Sequence, residues 1–145
     1  MAITTNAICN SFKKELLQAD HNFETSPTGS KFKLALYEDT ATLGKSTTSY
    51  TTGAEASSPS GYTAGGGALV NSGTSLSVNT AITNYANFSF AGVTLTAKGA
   101  LIYNTSNANA AVCVLDFGGN KTATAGTFTV QFPAFTSSAA ILRIS

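Results

Sequence analysis

The sequence predicts a mostly β fold: an antiparallel β-sandwich or barrel-like domain with one N-terminal amphipathic helix and a long polar loop region. Three observations carry that expectation. From residue 32 onward apolar side chains recur with a period of two, as on a half-buried strand. Turn-forming residues separate these runs at roughly ten-residue intervals, the spacing of a sandwich or barrel. Charged residues make up only 10% of the chain, against ~25% in ordinary soluble domains. Thr, Ser, Ala, Asn and Gly take their place, a mix that suits turns and exposed strand faces.

Residues 7–22 read as the helix, behind an arm of residues 1–6. Ile8, Phe12 and Leu16 recur every fourth position, with Cys9 and Ala19 beside them, and form one apolar stripe. Lys13, Lys14 and Gln18 fall mostly away from it. Thr5 or Asn6 stands where an N-cap would accept an unpaired backbone N–H. His21 and Asn22 stand where the helix would end. In FKLALY (32–37), Phe32, Leu34 and Leu36 share one face. Phe88 and Phe90 pair in ANFSF, and Val93, Leu95 and Ala97 share a face in the run that follows. Gly99 marks a candidate bulge before Leu101 and Tyr103. AVCVLDF (111–117) is apolar almost throughout, as in a strand covered on both sides. TFTVQF (127–132) alternates cleanly, with Phe128, Val130 and Phe132 inward, and Pro133 ends it. NTSNAN (104–109) and GGNK (118–121) look like hairpin connections. AAILRIS closes the chain with Ile141, Leu142 and Ile144.

Residues 39–80 differ. They hold few large apolar residues and many Gly, Ser and Thr, with Tyr50, Tyr62, Leu69, Val70, Leu76 and Val78 as the anchors. The reading is a long loop excursion with one or two short strands, inside a single domain spanning residues 1–145. A loop that long is usually functional or disordered.

The 145 residues are enough to bury a core without staples. A formal net charge of +1 and scattered Lys residues leave no basic footprint for nucleic acid. No stretch approaches the ~20 apolar residues of a membrane span. The first residues lack a basic region followed by an apolar one, so no signal peptide is expected. Cys9 and Cys113 lie far apart in apolar surroundings and read as buried reduced thiols.

LGKSTTSY (43–50) follows a strand and contains Gly44-Lys45-Ser46-Thr47, the closing half of a phosphate-binding loop. The match fails mechanically. Asp39 stands where the first glycine is needed, and no helical stripe follows to aim its N-terminus at phosphates. No nucleotide is expected, and Lys45 reads as one of few charges on a neutral surface. The remaining chemistry is equally sparse. His21 is the single histidine, and its expected role is at the helix C-terminus. The acids are dispersed, so no metal cluster forms on paper. Asp116 interrupts an apolar run. It either takes backbone N–H groups in the adjacent turn or forms a buried pair. Glu55, the one acid deep in the polar excursion, is expected to be solvated or to meet a neighbouring subunit's Lys or Arg. GYTAGGGALV (61–70) reads as a turn between short strands, or as a close backbone approach to a ligand or neighbouring chain. No constellation suits catalysis, and neither cofactor nor metal is expected.

SFKKELL, FKLALYEDTATLGKSTTSYTT, GYTAGGGAL, AKGALIYN, AVCVLDFGGNKTATAGTFTVQFP and the terminal AAILRIS, taken in this order, resemble small structural proteins encoded by tailed bacteriophages. The resemblance spans nearly the whole chain and rests on the ordered set, since none of its segments is specific alone. It implies a virion protein assembled in the host bacterial cytoplasm, with capsid decoration (cement) proteins as the leading form. Such proteins bind the outside of the expanded shell, commonly as trimers. The implied partners are the major capsid protein and further copies of the chain, with no nucleic acid, membrane or nucleotide. A tail-associated role in host or carbohydrate binding is the alternative. The arm, the helix and the excursion are least needed for a sandwich core. The expected intersubunit contacts are therefore Ile3, Phe12, Leu16, Tyr50, Glu55, Tyr62 and Leu69.

Overall fold

A computed structural model describes residues 3–145; Met1 and Ala2 of the expected arm lie outside it. In chain order the elements are β1 (Ala7–Ile8), α1 (Asn10–Leu17), β2 (Phe32–Tyr37), β3 (Gly67–Ala68), β4 (Asn71–Ser77), β5 (Thr80–Tyr85), β6 (Phe88–Asn104), β7 (Ala110–Val130) and β8 (Leu142–Ile144). They form a five-stranded sheet, β1-β7-β6-β2-β3, and a three-stranded sheet, β4-β5-β8. The pairings are antiparallel. The chain is thus mostly β with one short helix, as a sandwich-like fold requires.

β6 and β7 are the spine, a hairpin of 17- and 21-residue strands. NTSNAN makes its turn: Ala110 N–H closes on Asn107 O at 2.9 Å, and Ala108 and Asn109 take φ of 48° and 58°. The ladder shifts register between Ala97 and Gly99, but the extra residues lie in β7 rather than in a β6 bulge at Gly99. A Cβ on Gly99 would lie 2.3 Å from Leu115 O. TFTVQF alternates as its pattern demands, Phe128, Val130 and Phe132 buried and Thr127, Thr129 and Gln131 exposed.

GGNK is not a hairpin connection. Ala97 opposes Lys121 and Gly99 opposes Asp116, so residues 117–120 form a wide bulge inside β7 opposite Lys98. The bend closes locally, because Asp116 Oδ1 accepts the Gly118 N–H at 3.0 Å and Gly118 takes φ +79°. Pairing with β6 on both sides keeps the strand on course.

The helix is shorter than 7–22. Ala7 and Ile8 pair with Val114 and Cys113, and Cys9 N–H still reaches Val112 O at 3.0 Å. The sheet satisfies these backbone groups before a helix can. Cys9, not Thr5 or Asn6, is the N-cap residue, and its side chain makes no capping bond. Asn6 instead accepts the Asp116 N–H at 2.7 Å. The helix ends where Ala19 turns to φ +62°. Phe12 is its buried residue, Leu16 is half-buried and Leu17 is 90% exposed.

The core joins both sheets. Phe32 of β2 stacks on Phe23 at 4.9 Å and meets the edge of Tyr85 of β5 at 5.6 Å. Tyr85 in turn packs 5.5 Å from Phe132. Cys9 and Cys113 are buried and unbridged. Burial raises the Cys9 thiol to about 11, with the nearby Glu15 adding to the shift.

Candidate functional site

The polar excursion after β2 is ordered around one carboxylate. Glu55 Oε1 accepts the Tyr62 hydroxyl and the Gly65 N–H, each at 2.7 Å, and Oε2 accepts the Tyr50 hydroxyl at 2.6 Å. Tyr62 relays the contact to the core, since its oxygen accepts the Leu36 N–H at 2.9 Å. Tyr37 and Tyr103 tie the same loop down from the sheet, donating to Thr51 O and Gly65 O at 2.6 Å each. Tyr50 stacks on Tyr103 at 4.8 Å. Burial pushes the pKa values of Tyr37, Tyr50, Tyr62 and Tyr103 up, and the Glu55 charge pushes them further.

Glu55 is therefore half-buried, with both carboxylate oxygens engaged by donors of its own chain. The sequence could not show this, because the partners come from stretches on either side of Glu55, at Tyr50 and at Tyr62 and Gly65. The signal that could have found them is the recurrence of Tyr in an otherwise small-residue region. The three glycines complete the lock. Gly66, at φ +76°, lies so close to β2 that a Cβ would come 1.8 Å from Leu34 O. The close approach that GGG implies is to the chain's own strand.

The stretch from Leu43 to Tyr50 also turns inward. Thr47 Oγ1 accepts the Gly44 N–H and Gly44 O accepts the Thr47 N–H, both at 3.0 Å. Lys45 O accepts the Asn10 N–H at 2.8 Å, so a loop carbonyl docks on the start of α1. Lys45 itself is exposed.

His21 is buried among Phe12, Phe23 and Phe32. Asn104 Oδ1 accepts the Ser106 N–H, which turns its amide nitrogen to His21 Nδ1 at 3.0 Å. Nε2 therefore carries the ring proton and donates to Glu15 Oε2 at 2.8 Å. The histidine joins α1 to the tip of the β6–β7 hairpin rather than capping the helix C-terminus. Asp116 takes the turn reading, accepting the Gly118 N–H, and also meets Lys98 Nζ at 2.5 Å in a pair that is part-exposed rather than buried. The Lys98 hydrogen bond holds its carboxyl below the ordinary value, helped by the Gly118 N–H.

Most of the residues expected at subunit contacts serve this chain's own interior. Ile3, Phe12, Tyr62 and Leu69 are 1%, 3%, 9% and 9% exposed. Leu16, Tyr50 and Glu55 are half-buried. The residues that do face outward are others: Leu17, Val78, Leu76, Val70 and Ile144, exposed by 90, 88, 72, 65 and 60%. Sheet register gathers several of them. Leu76 lies opposite Ala81, and Ala81 opposite Ile144, so the three side chains form a row on one face of the small sheet. That face continues into a cleft of about 700 Å³ between α1 and β8, lined by Leu16, Leu17, Phe23 and Leu142 among others. Val78 heads the hairpin beside it at φ +55°, a position where two-residue turns ordinarily carry glycine. No family model, curated protein or solved structure matches this chain.

Proposed function

We propose that the chain is a structural component of a phage virion, acting as a capsid decoration (cement) protein on the outer shell. One observation carries the reading. The described ion pairs and the central carboxylate are consumed inside the chain, while a row of aliphatic side chains on the small sheet is left to water. Contiguous exposed apolar surface of that kind marks a protein-binding face. Its chemistry suits adhesion. The resemblance of the ordered sequence segments to phage structural proteins supplies the partner class. Neutral, apolar contacts also depend weakly on salt, which suits a particle that must survive dilution.

Co-sedimentation with undecorated, expanded heads tests the proposal. Saturable binding that persists at high salt is the expected result. Absence of binding, or binding confined to tails, contradicts it.

A further inference from the structure

Among the described residues, β7 has no strand on its outer side beyond the stretch paired with β1. β1 covers Cys113 and Val114, and among the described residues no backbone hydrogen bond joins 119–130 to any segment other than β6. Register shifts between Phe90 and Leu95, with Ala125 at φ +45° and its N–H on Thr94 Oγ1, interrupt that edge and leave two regular runs, 121–123 and 126–130, whose alternate N–H and C=O groups face outward. The longer run spans roughly 15 Å at the ordinary strand rise. Natural proteins guard such edges with bulges, charge, proline or very short strands. Here 121–130 carries Lys121 as its only charge and no proline.

The edge lines an open cleft of about 760 Å³ together with Ala139, Ile141 and Arg143. A second copy of this chain is a poor donor. Its long non-strand stretch, 38–66, is tied to its own sheet at Glu55. Charge narrows the donor further. Of the ionisable groups lining the cleft, Asp116 is engaged by Lys98, which leaves Lys121 and Arg143 without a carboxylate partner.

We infer that the cleft beside β7 receives an extended, acidic segment of the shell subunit, which adds to the large sheet as a further strand. The inference rests on the proposed function and makes it specific: main-chain bonds to the edge supply affinity, and Lys121 and Arg143 select carboxylates. Hydrogen exchange on the protein bound to undecorated heads, compared with the protein alone, tests it. Amides within 121–131 are expected to slow on the order of tenfold or more in the bound state. Lys121→Glu, a change at an exposed side chain, is expected to reduce that protection and to weaken head binding several-fold while the free protein's melting temperature holds. Binding to heads with the edge amides still fast overturns the inference and leaves the proposed function standing. No binding to heads overturns both. Protection that grows with protein concentration without heads assigns the strand to a second copy and overturns the shell-segment donor.

Discussion

The excursion between Glu38 and Leu69 and the small sheet β4-β5-β8 contrast in how they meet water. The excursion looks like surface in sequence, yet it is locked to the large sheet by Glu55, by tyrosine hydroxyls and by glycines pressed on backbone. The small sheet has strand-like periodicity, yet it leaves Leu76, Val78 and Ile144 largely exposed. The polar region is built for the fold, and on the proposed function the apolar one is built for a partner. Mutations in the first should therefore cost stability, and mutations in the second should cost binding.

The largest effect is expected at Gly66. Gly66→Ala puts a Cβ 1.8 Å from Leu34 O at a φ of +76°. It should destabilise the chain by on the order of 3 kcal/mol in urea denaturation. A cost within experimental error would mean the excursion is not pressed on β2. Glu55→Ala strands two hydroxyls and the Gly65 N–H without their acceptor. A loss of about 2–3 kcal/mol is expected, with Glu55→Gln milder because it keeps one accepting oxygen. Equal stability of all three proteins would break the claim that this carboxylate organises the loop.

The same region predicts alkaline behaviour. All five tyrosines have raised values, burial being the first cause for each. Their contribution to stability is complete below the ordinary tyrosine value of about 10 and is lost as pH rises through the raised folded values. Phenolate absorbance should therefore appear only together with unfolding. A tyrosine titrating near 10 in the folded chain would contradict the closed network. Asp116 works in the opposite sense: its lowered value gives stability that is complete above about 4 and lost as pH falls. A part-exposed pair of this kind is worth at most ~1 kcal/mol, so Lys98→Met should move the acid limb only slightly.

The small sheet should respond in the reverse way. Leu76→Ser and Ile144→Ser alter side chains that are 72% and 60% exposed. Stability should stay within about 0.5 kcal/mol while binding to heads weakens. Val78→Gly relieves a β-branched residue at φ +55° and should stabilise the free chain by up to ~1 kcal/mol. Destabilisation there would mean the tip packs on its own chain.

Local periodicity was legible, and contacts between distant stretches were not. TFTVQF folds as its alternation dictates, because the period of two answers directly to burial on one face, whereas FKLALY forms its strand but buries Ala35 and Tyr37 as fully as Leu34 and Leu36. The helix contracted because Ala7 and Ile8, apolar and suited to either state, found a strand edge first. GGNK carries turn chemistry, but β6 pairs with both flanks and makes it a bulge. Glu55 misled for the same reason: its partners at Tyr50, Tyr62 and Gly65 are brought together only when the loop folds back over β2. The exposed row of Leu76, Ala81 and Ile144 needed the register of three strands before it could be seen.

The central claim is that this chain is an exterior component of a phage head. A reconstruction of undecorated, expanded heads mixed with the purified protein tests it most directly. Stoichiometric, symmetry-related density on the outer shell, with the small sheet or the β7 edge facing the shell subunit, is the predicted result. Density at the tail alone, or particles left bare at saturating protein, would contradict it.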